Sequence, residues 1–189
     1  MGLPLDGYGL LAVTETPPSL LQAFSCGKPH LDAFLAETAP FFHRAKLGLT
    51  SVVMHAQVPN EVLGYFTLSN DAIALTSPEE LELGLEDKAG LSHFPAIKIG
   101  RFAVAVQHQS HGIGRDILSL LMDQMLLGGA ASAARIAVVD ADNDEAVVRF
   151  YGRNGFVASQ WAEKQAAHQG SKKQRRATIT MVRDILGGI

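Results

Sequence analysis

The sequence predicts an α/β (α+β) fold, a mixed central sheet flanked by helices, and three observations carry that expectation. Residues 96 to 151 read as strand, helix, strand, helix, the alternation that builds layered α/β domains. A β-hairpin pattern at residues 50 to 69 and short helical patterns precede them. The chain has 189 residues, 47% of them hydrophobic and 19% charged, which is enough apolar material for a core and the length of one domain, residues 1–189.

The elements follow in order. The first twenty residues end in Thr16-Pro17-Pro18-Ser19, a proline-marked opening that is not a helix interior. From Pro29, Leu31, Phe34, Leu35 and Thr38 recur at helical spacing, and Pro40 should kink that helix or open a second one at Phe41 to Lys46. Residues 50 to 56 and 61 to 69 are β-branched and aromatic runs around Val58-Pro59-Asn60, a hairpin. Residues 77 to 95 hold Glu79, Glu80, Glu82, Glu86 and Asp87 between Pro78 and Pro95, and read as a mobile acidic excursion with some helix. Ala96 to Val106 is nearly continuously apolar after Arg101, as a strand covered on both faces would be. Gly112-Ile113-Gly114 then opens a helix through Ile117, Leu118, Leu121 and Met125 that should end at Gly128-Gly129. Residues 135 to 140 form the next strand; Asp142, Asn143 and Asp144 offer N-caps to a helix through Tyr151, closed by Gly152 or Gly155. A final strand is expected at Ala177 to Val182.

Composition excludes several classes of function. Sixteen Lys plus Arg against nineteen Asp plus Glu give a net charge of −3, so adhesion to polyanions is not a property of the whole chain. The single cysteine, Cys26, precludes an internal disulfide and a multi-cysteine zinc site. No segment reaches the roughly 18 to 20 uninterrupted apolar residues of a membrane span, and Asp6 interrupts the N-terminus where a signal peptide would need an apolar run. The expectation is a cytoplasmic protein with no membrane association.

The informative stretch is Gln109-Ser110-His111-Gly112-Ile113-Gly114-Arg115, between an apolar strand and an apolar helix. Glycines there let backbone approach a ligand, and the unpaired N–H groups of the first helical turn attract phosphate oxygens. Glycines also turn chains for structural reasons, and both readings stand on the loop alone. Gly-Lys-Ser/Thr is missing, which excludes a nucleotide-hydrolysing loop, and the spacing is not Gly-x-Gly-x-x-Gly, which counts against a dinucleotide fold.

Gln-x-x-Gly-x-Gly after an apolar strand, followed by a strand and a helix ending in Phe150-Tyr151-Gly152-Arg153-Asn154-Gly155-Phe156, resembles the acetyl-CoA core of the GNAT-superfamily N-acetyltransferases over residues 96 to 156. The resemblance implies a GNAT domain whose central strands splay, with acetyl-CoA held by strand residues Phe102, Ala103 and Val104 and by loop residues Gln109, Ser110, His111, Gly112, Ile113 and Gly114, with Arg115 beside them. It also makes Tyr151 the candidate general acid, since attack of an amine on a thioester expels a thiolate that needs a proton; the residue type alone equally fits a core tyrosine beside Phe150 and Phe156.

A narrower likeness covers most of the chain. Phe24-Ser25-Cys26-Gly27-Lys28-Pro29-His30-Leu31-Asp32-Ala33-Phe34-Leu35, Val62-Leu63-Gly64-Tyr65-Phe66-Thr67-Leu68 and Ile99-Gly100-Arg101-Phe102-Ala103-Val104 are similar to segments of the GNAT toxins of toxin–antitoxin pairs. That likeness implies acetylation of the amino group of aminoacyl-tRNA, a small DNA-binding antitoxin as partner, and a homodimer. The sequence departs from those toxins at Ala105, where Asp is usual, at Asp144 and Val147, where Asn and Ala are usual, and in its net charge, since the toxins are usually basic.

Lys172, Lys173, Arg175 and Arg176 could supply a local phosphate-binding cluster, or simply a solvated loop. Arg101 is either an ion-pair partner or a group facing the acceptor. Asp140 and Asp142 stand where a general base could, and equally as caps; an α-amino acceptor with a pKa near 8 needs only water. His108 and His111 lack a third ligand, so no metal is expected. A small-molecule or protein amine is the alternative acceptor, and a catalytically silent module binding CoA or a partner is the alternative outside enzymes.

Overall fold

The computed structural model describes residues 3–85, 90–127, 133–168 and 177–187. Among the described residues seven strands, β1 (Tyr8–Ala12), β2 (Leu49–His55), β3 (Gly64–Ile73), β4 (Phe94–Val104), β5 (Ile136–Asp142), β6 (Val157–Ala158) and β7 (Thr178–Asp184), lie in one sheet. Their order is β1-β2-β3-β4-β5-β7-β6. The helices are α1 (Pro18–Ala23), α2 (Pro29–Ala33), α3 (Ala39–Arg44), α4 (Ser77–Glu82), α5 (Ile113–Leu127), α6 (Glu145–Arg153) and α7 (Gln160–His168). Among the described residues no helix is long and apolar enough to cross a membrane. By contacts the chain divides into two compact units, Met1–Ser69 with Ile99–Gln124 and Asn70–Lys98 with Met125–Ile189.

In the first unit the hairpin expectation holds. β2 and β3 pair antiparallel with Val52 opposite Tyr65, and β1 adds antiparallel to β2. Val52, Val53, Tyr65 and Phe66 are fully buried, and the Thr50 and Thr67 hydroxyls satisfy each other across the strands at 2.8 Å. The residues from Pro29 form α2, a π-helical turn at Phe34–Thr38, and then α3 with Pro40 in its first turn, where a missing N–H costs nothing. Their apolar side chains Phe34, Leu35 and Ala39 join Leu21, Phe24, Cys26, Val62, Tyr65 and Ala103 in one core. Phe24 meets the Tyr65 ring edge-on at 5.5 Å and Phe34 stacks on it at 6.2 Å. The Tyr65 hydroxyl donates to the Leu31 carbonyl at 2.9 Å, so the buried phenol is satisfied.

The second unit has its own core of Ile73, Leu75, Phe94, Ala96, Ile136, Val138 and Val182. β5 pairs antiparallel with β7, and the two-residue β6 pairs with β7 from the other side. Asp144 is the N-cap of α6: one carboxylate oxygen accepts from the Ala146 and Val147 amides at 2.9 and 3.3 Å. That choice among the three candidates fixes where the Tyr151 helix begins.

Three expectations are corrected. β4 alternates buried and exposed residues instead of being covered on both faces, with Ala103 and Ala105 inward and Val106 55% exposed beyond it. The acidic excursion is partly structural: Glu79 is buried, one of its oxygens accepting from the Thr76 amide and hydroxyl and the other from the Gln160 amide at the start of α7. β1 and α7 were not expected at all. The expected helix stop at Gly128-Gly129 lies outside the described residues.

Candidate functional site

The loop between β4 and α5 is built by two residues with positive φ, Ser110 (64°) and Gly112 (85°), around a short 3-10 turn at Val106–His108. α5 then starts at Ile113, whose first backbone bonds run from the Arg115 and Asp116 amides to the Gly112 carbonyl at 3.0 and 3.2 Å. The N–H groups before them have no helical acceptor, and the positive end of a 15-residue helix lies behind them. No side chain or backbone atom would lie within 4 Å of a Cβ at Gly112, so the space over the turn is open. An open turn of outward amides at a helix start fits the pyrophosphate of a CoA-type group.

The strand beside it is equally close-built. A Cβ on Gly64 would lie 2.6 Å from the Ala103 carbonyl oxygen and 2.7 Å from the Ile117 side chain, so β3 approaches β4 and α5 only because residue 64 is glycine. The Ala105 amide donates to the Leu63 carbonyl at 2.8 Å, fixing the end of β4.

Each residue expected in the cofactor site can now be placed. Phe102 and Val104 are half-buried on β4 and Ala103 is buried between them. Gln109 is exposed and its side chain folds back onto the backbone: its Nε2 donates to the Val104 carbonyl at 2.9 Å and the Cys26 carbonyl at 3.0 Å. Ile113 is buried in the core, leaving its amide to the loop, while Ser110, His111 and Gly112 are exposed and Gly114 is half-buried. Arg115 is 74% exposed and held by Asp116 Oδ1 at 3.2 Å, whose partner oxygen accepts from the Tyr8 hydroxyl at 3.3 Å. His108 pairs with Glu61 at 3.0 Å, and among the described residues no three His, Cys, Asp or Glu side chains gather as metal ligands would.

Arg101 is exposed on β4, its guanidinium 5.1 Å from the centre of the Phe34 ring and donating to the Gly100 carbonyl at 2.7 Å. Of its two expected roles, the contact observed is with an aromatic face. Lys172, Lys173, Arg175 and Arg176 lie outside the described residues.

In the second unit, Tyr151 sits on α6 with its ring 5.2 Å from Phe150 and 5.4 Å from Phe156, and is 6% exposed. Burial, and after it the nearby Asp142 charge, push its phenol well above the ordinary value, so it carries its proton at neutral pH. Asp140 is engaged by Lys98 at 2.6 Å and by the Thr180 hydroxyl at 2.7 Å. Burial alone would raise its carboxyl, but those hydrogen bonds and the Lys98 charge hold it below the ordinary range. A base must take up a proton near neutral pH, and Asp140 is tuned the other way.

The sequence profile of the acetyltransferase (GNAT) family matches residues 18–156, which is most of the chain. The chain belongs to the GNAT acetyltransferase family. It is therefore an acetyl-CoA-dependent N-acetyltransferase, and the strand, loop and helix described above lie within the matched residues. No curated protein sequence matches this GNAT chain. Solved structures do match its fold. A structure of AtaT complexed with acetyl-methionyl-tRNAfMet has a TM-score of 0.71 at 20% identity, covering 94% of each chain. A tyrosine-to-phenylalanine variant of KacT has a TM-score of 0.71 at 19% identity over 96% of each chain. A tyrosine-to-phenylalanine variant of the AtaT toxin, bound to the C-terminus of the antitoxin AtaR and acetyl-CoA, has a TM-score of 0.65 at 19% identity over 96% of each chain.

Two residues with structural roles around this loop, Gly64 and Asp32, stand in recognisable sequence segments but carry no local signal of those roles. Gly64 permits the close approach of β3, and Asp32 holds the segment that touches Gln109. Their partners are 39 and 6 residues away or more, and only the folded chain brings them together.

Proposed function

We propose that this acetyltransferase is a toxin-type enzyme that acetylates the α-amino group of aminoacyl-tRNA, with a small DNA-binding antitoxin as its partner and the cytoplasm as its compartment. The observation that carries the reading is end-to-end fold likeness: the AtaT structure that shares 94% coverage in both directions is a complex with acetyl-methionyl-tRNAfMet. A related AtaT structure holds both acetyl-CoA and a segment of the antitoxin AtaR. The three sequence segments at residues 24–35, 62–68 and 99–104 point the same way.

Acetyl-CoA, when bound, supplies the acetyl group as a thioester. The Ser110–Gly114 backbone amides would hold the pyrophosphate oxygens, and β4 residues 102–104 would hold the pantetheine arm. Tyr151 donates its phenolic proton to the departing sulfur, and its raised pKa keeps that proton in place throughout the working range. The incoming α-amino group, with a pKa near 8, is largely neutral at slightly alkaline pH and can lose its remaining proton to water, so no carboxylate base is required.

The test is transfer of labelled acetyl to a pool of charged tRNA, with deacylated tRNA as control. Label on charged tRNA that falls at least about 10²-fold in Tyr151→Phe supports both the acceptor and the general acid. Absence of label, from protein that binds acetyl-CoA, removes the tRNA reading. The net charge of −3 favours a second acceptor class, a small-molecule or protein amine. Salt separates the two: a tRNA enzyme loses activity steeply as salt rises and when Lys172, Lys173, Arg175 and Arg176 are neutralised, and a small-amine enzyme does not.

A further inference from the structure

The segment Phe24-Ser25-Cys26-Gly27 is joined to the cofactor loop by two hydrogen bonds. The Val106 amide donates to the Ser25 carbonyl at 2.9 Å, and Gln109 Nε2 donates to the Cys26 carbonyl at 3.0 Å. The same Nε2 donates to the Val104 carbonyl at 2.9 Å, so both of its hydrogens are engaged and one side chain ties the end of β4, the loop and the residue 24–27 segment together. What fixes the segment is Asp32. One of its oxygens accepts from the Cys26 amide at 2.8 Å and the other from the Ser25 hydroxyl at 2.9 Å. A carboxylate accepting at both oxygens is among the stronger anchors a loop can have. Burial alone would raise its carboxyl, and the bonds from Cys26 and Ser25 outweigh that and hold it below the ordinary value.

We propose that Asp32 is a positioning residue for the acetyl-CoA loop, acting through the Cys26 backbone and the Gln109 side chain. The path is continuous: carboxylate to Cys26 amide, Cys26 carbonyl to Gln109, Gln109 to the end of β4, and from there to the turn at Ser110 and Gly112. Asp32 acts through its bonds to Cys26 and Ser25. It sets where Gln109 finds its acceptor, and so where the loop amides point. The proposal rests on the assignment of that loop to acetyl-CoA.

The experiment measures acetyl-CoA affinity by calorimetry and the steady-state constants for Asp32→Asn, Gln109→Leu and the double variant, with thermal unfolding as a check on folding. Asp32→Asn keeps one acceptor oxygen, puts an N–H where the other oxygen was and removes the charge that strengthens both bonds, so a loss of about tenfold in acetyl-CoA affinity is expected, falling on KM for acetyl-CoA more than on kcat. In the Gln109→Leu background the same change should cost less than about twofold, because the path is already cut. Ser25→Ala removes only one of the two bonds and gives a smaller loss of the same kind, which serves if Asp32→Asn does not fold. Wild-type affinity in both Asp32→Asn and Ser25→Ala, or full additivity with Gln109→Leu, overturns the proposal. Gly112→Glu separates that failure from failure of the site itself: tight acetyl-CoA binding by Gly112→Glu removes the loop assignment, and the role of Asp32 with it.

Discussion

The Lys98 ammonium lies 2.6 Å from an Asp140 carboxylate oxygen, and the pair is fixed on adjacent strands β4 and β5. Thr180 closes the second oxygen from β7, so both faces of the carboxylate are used. Each side chain keeps about a third of its surface, 35% and 38%, so water screens the attraction and the pair adds little to stability. Its consequence is for catalysis. Asp140→Asn should leave the pH dependence of kcat/KM between pH 6 and 9 with the same shape, since a carboxyl held below its ordinary range does not titrate there. Loss of the acidic limb in that variant would make Asp140 the base after all.

Gly64→Ala tests the close approach of β3. The added methyl meets a backbone carbonyl at 2.6 Å and the Ile117 side chain at 2.7 Å, and the carbonyl cannot swing away without disturbing β4. Overpacking of this kind costs about 1–3 kcal/mol, or roughly 2–12 °C in Tm for a chain this long. Thermal unfolding reads it directly, and an unchanged Tm would mean that β3 and β4 stand further apart.

Asp144 offers a sharper contrast. Its side chain caps two amides at the start of the Tyr151 helix. Asp144→Ala should lose about 1 kcal/mol and Asp144→Gly only a few tenths, because glycine lets water and backbone take over the cap. Equal losses, measured by urea unfolding, would point to a role for the carboxylate other than capping.

The cap shows what could be read from sequence. Asp142, Asn143 and Asp144 before an apolar-periodic run announce a helix start, and the glycine turn before Ile117 and Leu118 announces another; both signals are local. β1 was missed because Tyr8-Gly9-Leu10-Leu11-Ala12 has no β-branched residue and contains a glycine, and its strand state comes from pairing with β2 some 40 residues on. α7 was missed for a related reason, since the carboxylate that accepts from its first amide is Glu79, 81 residues earlier. The loop at Gln109–Gly114 was legible as a glycine turn opening α5, whereas the hydrogen bonds of the Gln109 side chain were not, because its acceptors belong to Cys26 and Val104. Neither periodicity nor spacing encodes a partner 83 residues away.

Acid stability should follow the Arg135–Asp184 pair. Arg135 Nε and Nη2 reach the two Asp184 oxygens at 2.7 and 2.9 Å, and Nη2 also donates to the Leu83 carbonyl. Burial alone would raise the Asp184 carboxyl, and the Arg135 bonds and charge outweigh it, so its folded pKa lies below the unfolded value near 3.9. The pair's contribution is therefore complete above about pH 4 to 5 and disappears as pH falls through the lower folded value. The urea midpoint should drop as pH falls below about 4, and Asp184→Asn should flatten that drop while lowering stability at pH 7. A variant with the wild-type slope would assign the acid sensitivity to other carboxylates.

All three tyrosines of the chain are pushed upward, and this gives a test of the proposed general acid that needs no substrate. Tyr8 is raised to about 12, first by burial and then by the Asp116 charge. Tyr65 and Tyr151 rise further, Tyr65 mainly by burial and Tyr151 by burial and then Asp142. A phenol whose folded pKa exceeds its unfolded value near 10 stabilises the fold fully below pH 10, and the contribution fades as pH climbs toward the folded value. Absorbance at about 295 nm should thus show almost no phenolate in the folded protein at pH 10.5, and three phenolates together on alkaline unfolding. A group titrating near pH 10 in wild type and missing from Tyr151→Phe would place the Tyr151 hydroxyl in water. The alkaline limb of kcat would then belong to the phenol; with the titration absent, that limb belongs to another group and Tyr151 stays protonated across the whole profile.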